Sequence, residues 1–537
     1  MSGAVRHGVR VASFAVPAGF VGLFFLYPVA AVVWRGLGTD GWDALAGVLG
    51  SDHSRGVVWF TVAQAAASTA LTMAIALPAA ATVAGLGERP RRLVRALVTV
   101  PFVLPTVVVA GAFDELFSVT GLDAGAVRLR HTVWAVLLAH VFFNYAVVVR
   151  VVGSAWASLD GRRRDAARVL GASRRRAFRE VTLPELRPAI ASSAAIVFLF
   201  SFTSFGVVLV LGGPRRATLE TEIYRYAVSR TDLGTAAALA VVQLVAVLAL
   251  VVVSTWLERR RPVLAGVPRR GGGGVSWPAR VINTGVAALL LGGPLAVLVE
   301  RSLMTGDGYG LDHYRALGSR VRQLPAPATT ALWNSLQYAV LATAIAVIVG
   351  VSAALVVVHG RGAVARIFDL GLTLPLGTSA VTIGFGILVA LGEPPLDFRT
   401  RWWIIPVAHA LVGVPFVVRT MVPLLRSIDP ALREAASVLG AAPARVRREI
   451  DLAIGLRGAL VGGGFAFAVS LGEFGATSFL PRRVDELTAP IALFRLLSTP
   501  GDLLRGQAMA LSVILMVAVA VAVFAIESSR SPADGAF

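Results

Sequence analysis

Long apolar runs separated by short polar segments recur from one end of the 537-residue chain to the other. A helix needs about 20 apolar residues to cross the hydrocarbon core of a bilayer, and each of these runs is long enough. The pattern therefore predicts an all-α polytopic membrane protein with about 12 transmembrane helices. The predicted spans lie near residues 12–34, 57–85, 93–113, 131–153, 190–212, 235–256, 279–299, 331–358, 364–391, 402–424, 458–480 and 506–526.

Composition supports this assignment, because 56% of the residues are apolar and only 15% are charged. Soluble proteins carry about 25% charged residues, so an ordinary soluble enzyme is excluded. The first run follows Arg6 and Arg10, as the core of a signal peptide would. It is much longer than such a core and no small-residue cleavage pattern follows it, so we expect a retained span.

The charge is distributed unevenly along the chain. All 50 basic residues are arginine, and the net charge is +19. Arginines concentrate in alternate loops, with runs at 91–92, 162–164 and 259–261, which is the positive-inside pattern of membrane proteins. It predicts cytoplasmic N- and C-termini and no nucleic-acid partner. Binding of anionic lipid by the same clusters is compatible with this orientation.

Several chemistries are excluded by missing residues. The chain has no cysteine, which removes disulfides, thiolate metal sites and cysteine nucleophiles. It also has no lysine, which a P-loop needs on the nucleotide phosphates. The seven histidines show no metal-ligand spacing, and no carboxylate pair is placed for acid–base catalysis. We therefore expect no catalytic residues, no metal site and no cofactor on this chain.

The chain contains two similar halves. Six spans in each half is an even number, so the halves share one orientation and form a parallel repeat with an expected pseudo-two-fold axis. The predicted domains are a first half at 1–262, a Gly-rich cytoplasmic linker at 263–278 and a second half at 279–537. Residues recur at an offset of 269 positions, including His140 and His409, Arg150 and Arg419, Asp160 and Asp429, Gly171 and Gly440, and Glu180 and Glu449.

The repeat is strongest in the loop between the fourth and fifth spans of each half. The first copy reads DAARVLGASRRRAFREVTLPELRP from Asp165, and the second reads EAASVLGAAPARVRREIDLAIGLR from Glu434. Asp429 suits an N-cap and Pro430 the first helical position, while Gly440 can adopt the left-handed conformation that ends a helix. The loop is thus predicted to form a helix–Gly–helix elbow outside the bilayer.

Alanine pairs in the two loops, Ala166–Ala167 and Ala435–Ala436, give each elbow one thin face for docking into a groove of a partner protein. The arginines on the other faces keep the elbow solvated and can pair with acidic partner residues. The alternative is a pair of interfacial helices that only connect spans. Repetition of the loop in both halves favours docking over this alternative.

These loops resemble the EAA loop of binding-protein-dependent ABC importer permeases, which reads Glu-Ala-Ala-x3-Gly-x9-Ile-x-Leu-Pro. The second copy matches it at Glu434, Ala435, Ala436, Gly440, Ile450 and Leu452, and the first at Ala166, Ala167, Gly171, Leu183 and Pro184. The departures are Asp165 in place of the glutamate, Val181 in place of the isoleucine and Ala453 in place of the second proline.

The resemblance implies a fused permease that supplies both halves of the pore in one chain. In such importers each loop seats a coupling helix in an ATPase subunit, and closure of the ATPase dimer drives alternating access. The implied partners are an ABC ATPase dimer, which holds ATP and Mg, an extracytoplasmic solute-binding protein and the lipid bilayer. The implied location is the bacterial cytoplasmic membrane.

In layout the chain is most similar to fused double permeases of the thiamine and ferric-iron type. The segment SFGVVLVLGGPRRATLETEIYRYA at 204–227 looks most like the thiamine branch, and so does SLGEFG at 470–475. Iron-type permeases are similar in the same segments, so thiamine is ranked only slightly ahead of ferric iron. Other organic cations, polyamines and oxyanions are further candidate substrates.

Four polar residues inside the predicted spans are candidates for the substrate pathway: Glu473, its first-half counterpart Ser204, and the equivalent histidines His140 and His409. A charge at the bilayer centre costs about 2.5–3.5 kcal/mol by insertion scales, so Glu473 is the strongest of them. It either helps to conduct a cation or is hydrogen-bonded to a neighbouring helix. For the histidine pair, hydrogen bonds between helices are favoured over a role as ligand or proton relay.

The main alternative function is a secondary transporter driven by an ion gradient, because a 6+6 parallel repeat also describes that architecture. It predicts buried charges in several spans, and these are few here. It also leaves the paired loop without a role. A membrane-embedded enzyme is disfavoured by the missing catalytic cluster, and an exporter by the missing P-loop.

Overall fold

A computed structural model of the chain describes residues 14–38, 41–124, 127–259, 276–306, 308–360, 378–392, 396–398, 401–480, 483 and 485–529. Most of the predicted linker at 263–278 lies outside these ranges, and so does the first part of the predicted span at 364–391.

Helices dominate the described residues, and ten of them are long and apolar enough to cross a membrane. These ten are Phe14–Leu37, Asp52–Ala84, Val133–Ser158, Arg174–Phe202, Leu233–Val253, Trp277–Leu303, Ala328–Val358, Ile404–Arg426, Arg448–Gly472 and Asp502–Ser528. Each of them lies at one of the predicted spans. The prediction of an all-α polytopic membrane protein is confirmed.

The other two predicted spans have distinct structures. At the third, the helices Glu88–Val103 and Thr106–Val119 meet at an angle of 94°. The bend falls at Pro105, where a proline cannot donate the hydrogen bond that would continue the first helix. At the ninth, the described part is the short apolar helix Ala380–Ala390.

Shorter elements connect the spans. The further helices are Gly41–Gly50, Gly161–Val169, Gly206–Leu211, Leu219–Tyr224, Asp312–Ala316, Pro430–Val438, Pro443–Val446 and Ala489–Leu497. π-Helical turns occur at Gly22–Leu26, Phe178–Thr182, Arg225–Ser229, Ala288–Gly292 and Arg447–Leu452. The strands Met304–Thr305 and Gly308–Tyr309 form a two-stranded ladder.

The described residues form two compact units. One comprises the described parts of Met1–Gly47, Ile223–Val241 and Thr305–Gly535. Its centre is the mutual packing of the spans Ala328–Val358, Ile404–Arg426 and Arg448–Gly472. The N-terminal span belongs to this unit, because Tyr27–Leu37 packs against Ala380–Ala390.

The other unit comprises the described parts of Val48–Glu222 and Val242–Met304. The spans Asp52–Ala84 and Val133–Ser158 pack against each other and against the helix that ends at Phe202. The helix Gly293–Leu303 packs here against Thr106–Val119, where Arg301 Nε lies 3.3 Å from Glu115 Oε1. The compact units are thus discontinuous in sequence. The repeat boundaries at 262 and 279 stay a prediction.

Candidate functional site

The first elbow, residues 160–182, begins at a polar cap. The side chain of Asp160 accepts a hydrogen bond from the Arg162 backbone N–H, and the helix Gly161–Val169 follows. Gly171 then has a φ of +91°, and Ser173 caps the next helix by accepting from the Arg176 N–H. The two helices and the glycine between them form the predicted helix–Gly–helix elbow.

The second elbow, residues 429–451, repeats this construction. Asp429 caps the helix Pro430–Val438 by accepting from the Ala431 N–H, and Pro430 is the first helical residue, as predicted. Gly440 has a φ of +82°, in the left-handed region where side chains are strained. The helix Pro443–Val446 follows.

Hydrogen bonds at the glycines explain the sharp turn. The Gly171 N–H donates to the Arg168 carbonyl and the Ala172 N–H to the Ala167 carbonyl, at 3.0 Å each. In the second elbow the Gly440 N–H donates to the Ser437 carbonyl, and the Ala441 N–H donates to the Ala436 carbonyl. This is the Schellman arrangement, which satisfies the last carbonyls of a helix and needs a left-handed residue after it. The glycine is therefore required by the geometry of each elbow.

The apolar residues just before each glycine are unusually exposed. Val169, Leu170, Val438 and Leu439 are each 87% accessible to solvent. Large aliphatic side chains at this exposure indicate a surface that a partner covers. Sequence reasoning missed these residues and named only the neighbouring alanines. The available signal was the Val-Leu pair that precedes the glycine in both loops.

The predicted site residues of the elbows surround these aliphatic pairs. Ala166 and Ala435 are exposed, while Ala167 and Ala436 are half-buried. The acidic members at the start of each motif, Asp165 and Glu434, are exposed.

Ion pairs within the elbows also repeat. Arg176 Nε donates to Glu180 Oε1 at 3.0 Å, and Arg445 Nε donates to Glu449 Oε1 at 2.9 Å. Each pair joins the second helix of its elbow to the π-helical turn that follows it. The repeat thus extends from sequence to local structure.

The predicted histidine pair is buried inside the spans. His140 Nδ1 lies 2.8 Å from Ser68 Oγ on the helix Asp52–Ala84. One turn further, Asn144 Nδ2 donates to the His140 carbonyl and to Ser201 Oγ at 3.3 Å. The cluster joins three spans of one compact unit by hydrogen bonds between helices, as that interpretation of His140 predicts.

His409 has a different set of partners. Its Nδ1 lies 2.8 Å from Ser470 Oγ, and its Nε2 lies 2.8 Å from Thr477 Oγ1. Glu473 Oε2 is 3.4 Å from the same Nε2, and both side chains are almost fully buried. The equivalent positions of the two halves thus carry unequal hydrogen-bond networks.

Glu473 itself is bound to the adjacent backbone. It follows the helix that ends at Gly472, and its carboxylate accepts from the Ala476 N–H at 2.8 Å and the Thr477 N–H at 3.0 Å. Ser204, its counterpart, lies half-buried between the helix that ends at Phe202 and the next helix. These hydrogen bonds lie within the segment of Glu473 itself, while His409 on the span Ile404–Arg426 is 3.4 Å away; a role of Glu473 in the substrate pathway stays a prediction.

A substitution at Glu473 tests this structural role. Glu473→Ala leaves the N–H groups of Ala476 and Thr477 buried without their acceptor, and such a loss costs about 1–3 kcal/mol per group. We expect a lower thermal unfolding midpoint in detergent. Ser204→Ala, at the equivalent site of the first half, is the control and should change the midpoint little. Equal midpoints for both variants would contradict the assignment.

Across the described ranges, no group of three or more His, Asp or Glu side chains is placed to hold a metal ion.

Comparison with known proteins identifies the family. Residues 73–262 match the sequence family described as the binding-protein-dependent transport system inner membrane component. A Salmonella typhimurium permease protein named for 2-aminoethylphosphonate transport is 32% identical over 212 residues, which cover 36% of this chain and 72% of that protein. The chain belongs to this family.

Other members of the family are similar over more of the chain. The thiamine transport system permease protein of Brucella abortus (strain 2308) is 28% identical over 480 residues, which cover 85% of this chain and 86% of the relative. The thiamine transport system permease protein of Escherichia coli (strain K12) is 26% identical over 377 residues, which cover 67% of this chain and 66% of that protein. Similarity over most of both chains agrees with a fused double permease.

Proposed function

We propose that this ABC importer permease moves thiamine into the cytoplasm by alternating access, driven by ATP hydrolysis on a separate ATPase dimer. A solute-binding protein delivers thiamine to the outer face. The relatives named for thiamine transport support the substrate, since the Brucella abortus protein is similar over 85% of this chain. The relative named for 2-aminoethylphosphonate covers only 36% of it.

The observation that carries the proposal is the pair of elbows with their exposed aliphatic residues. Two copies of one docking surface suit a dimer of identical subunits, in which each subunit seats one elbow. Burial of a valine or leucine side chain contributes about 1.5–3 kcal/mol, so two such pairs supply a substantial part of a stable interface. The exposed acids Asp165 and Glu434 can pair with arginine or lysine at the edge of each groove.

The energy source follows from the same arrangement. The sequence contains no lysine, so it has no P-loop, and ATP with Mg must be bound by the partner. Motion of the ATPase reaches the spans through the elbows, because each elbow continues into a long helix. The first elbow joins the helix Leu183–Phe202, and the second joins Ala453–Gly472.

The proposed orientation places both elbows and both termini in the cytoplasm of a bacterial cell. The elbows hold 12 of the 50 arginines in only 46 residues, and positive loops stay on the cytoplasmic side during insertion. An ATPase that uses cytoplasmic ATP can only reach elbows on this side.

Reconstitution tests the proposal. The permease is placed in proteoliposomes with the ATPase on the ATP-containing side and the binding protein on the other, and uptake of labelled thiamine is measured. We expect uptake only when ATP, ATPase and binding protein are all present. An ATPase variant that binds but does not hydrolyse ATP is the control and should give no sustained uptake.

Two other outcomes would overturn parts of the proposal. Uptake driven by an ion gradient without ATP would support the secondary transporter instead. A binding protein that holds ferric iron and not thiamine would reject the substrate while leaving the importer mechanism intact.

A further inference from the structure

The second elbow is attached to the spans by an arginine that reaches two other segments. Arg433, on the helix Pro430–Val438, donates from Nε to Asp451 Oδ1 at 2.9 Å. Its Nη2 donates to the Leu425 carbonyl at 3.0 Å. Leu425 lies in the last turn of the span Ile404–Arg426, and Asp451 lies where the following span begins. One side chain thus joins the elbow helix to the helices on both sides of it.

Burial makes this connection stiff. The Asp451 side chain is only 1% exposed, and that of Arg433 is 25% exposed. A buried carboxylate is stable only while its hydrogen-bonded partner stays in place, because an uncompensated charge in a low-dielectric site is strongly unfavourable. The elbow helix cannot move away from the spans without breaking this pair.

The first elbow has no equivalent buried pair among its described contacts. Arg164 occupies the position of Arg433, and its side chain bonds to Asp165, its neighbour on the same helix. Thr182 stands where the second elbow has Asp451. A small cavity of about 20 Å³, lined by both Arg164 and Thr182, lies at this place.

Among the described contacts, an ion pair near the surface links the first elbow helix to the following span. Arg163 Nη1 lies 2.9 Å from Glu185 Oε1; the arginine side chain is 69% exposed and the glutamate side chain 22% exposed, so neither partner is fully buried as Asp451 is. Exposed pairs are screened by water and salt and hold two side chains only weakly. The stack of Trp156 on Phe178 lies nearby but does not include the elbow helix.

We propose that Arg433 is a positioning residue that makes the second elbow the stiffer mechanical link, so that the ATPase acts on the spans mainly through this elbow. The inference rests on the proposed function, because it assumes that both elbows dock on an ATPase dimer. The two ATPase subunits deliver equal motions, but the two halves of the permease receive them unequally.

Asp451→Thr tests the inference by giving the second elbow the residue that the first elbow has. Arg433 stays partly exposed in this variant and can be hydrated, so folding is preserved better than in a variant that leaves Asp451 unpaired. The measurement is the number of thiamine molecules taken up per ATP hydrolysed in proteoliposomes. We expect this ratio to fall about fivefold or more, the size of an ordinary coupling between sites, while the ATPase still co-purifies.

Glu185→Gln is the matched control, since it breaks the ion pair of the first elbow. It should change the uptake ratio by less than about twofold, because exposed pairs contribute little. Thr182→Asp, added to Asp451→Thr, gives Arg164 a carboxylate partner and should restore part of the coupling. Equal effects of Asp451→Thr and Glu185→Gln would overturn the inference.

Hydrogen–deuterium exchange provides a second test that is independent of the ATPase. In the purified permease, amides of 431–438 should exchange more slowly than those of 161–169, because the buried pair opposes local opening. Asp451→Thr should remove the difference. Equal exchange in the unmodified protein would reject the inference. Failure of the unmodified protein to bind any ATPase would instead reject the proposed function.

Discussion

Replacing Leu170 and Leu439 together by aspartate should abolish association with the ATPase. Both side chains are 87% exposed at the tips of the elbows, where the proposed interface would bury them. Loss of one buried leucine removes about 2 kcal/mol, which is about 30-fold in the dissociation constant, and a desolvated aspartate adds a further penalty. With both elbows changed we expect a loss of well over about 100-fold, measured by co-purification and by titration of the ATPase in nanodiscs.

The control for this variant is an exposed leucine away from the elbows. Leu311 is 54% exposed in a short connection before the helix Asp312–Ala316. Leu311→Asp should leave ATPase association unchanged, and all variants should elute as the unmodified protein does in size-exclusion chromatography. Normal ATPase binding by the double variant would show that the elbows do not dock as proposed.

A methyl group added at Gly462 should destabilise the protein sharply. A Cβ there would lie 2.5 Å from Thr420 Oγ1 and 2.6 Å from Val417 Cα, where the spans Ile404–Arg426 and Arg448–Gly472 cross. The second contact is with backbone, so relief requires the helices to separate. We expect Gly462→Ala to cost about 2 kcal/mol or more and to lower the thermal midpoint in detergent.

Gly292→Ala is the matched control. Gly292 is also a helical glycine in a span, but a Cβ there meets nothing within 4 Å. Alanine restricts the unfolded chain and favours the helix, so this variant should be neutral or stabilised by about 0.5–1 kcal/mol. If Gly462→Ala were as stable as Gly292→Ala, the close crossing of the two spans would be wrong.

The spans and the repeat were predictable because both are properties of the linear sequence. The length of an apolar run can be counted in the sequence, and that length decides whether a helix can cross a bilayer. The elbows were predictable for a similar reason. Asp429 and Gly440 act on backbone groups within a few residues of themselves, and their positions fix where a helix begins and ends.

The exposed aliphatic residues of the elbows were not predictable in the same way. From the sequence, Val438 and Leu439 are predicted to form the apolar side of a short helix, and such a side ordinarily faces a core. Their 87% exposure follows from how the elbow projects from the spans. The same is true of Glu473, for which the sequence left two roles open. Contacts with Thr477 and His409 show how its carboxylate is satisfied.

The sequence by itself determined the class of protein, the place of ten of the spans and the place of the elbows, because local hydrophobicity and capping act over short stretches of chain. Only the tertiary structure decided how the two elbows differ. Arg433 and Asp451 are 18 positions apart, and neither shows its partner in sequence. They meet because the chain turns at Gly440 and returns, and burial at that meeting point makes their attraction strong enough to hold the elbow.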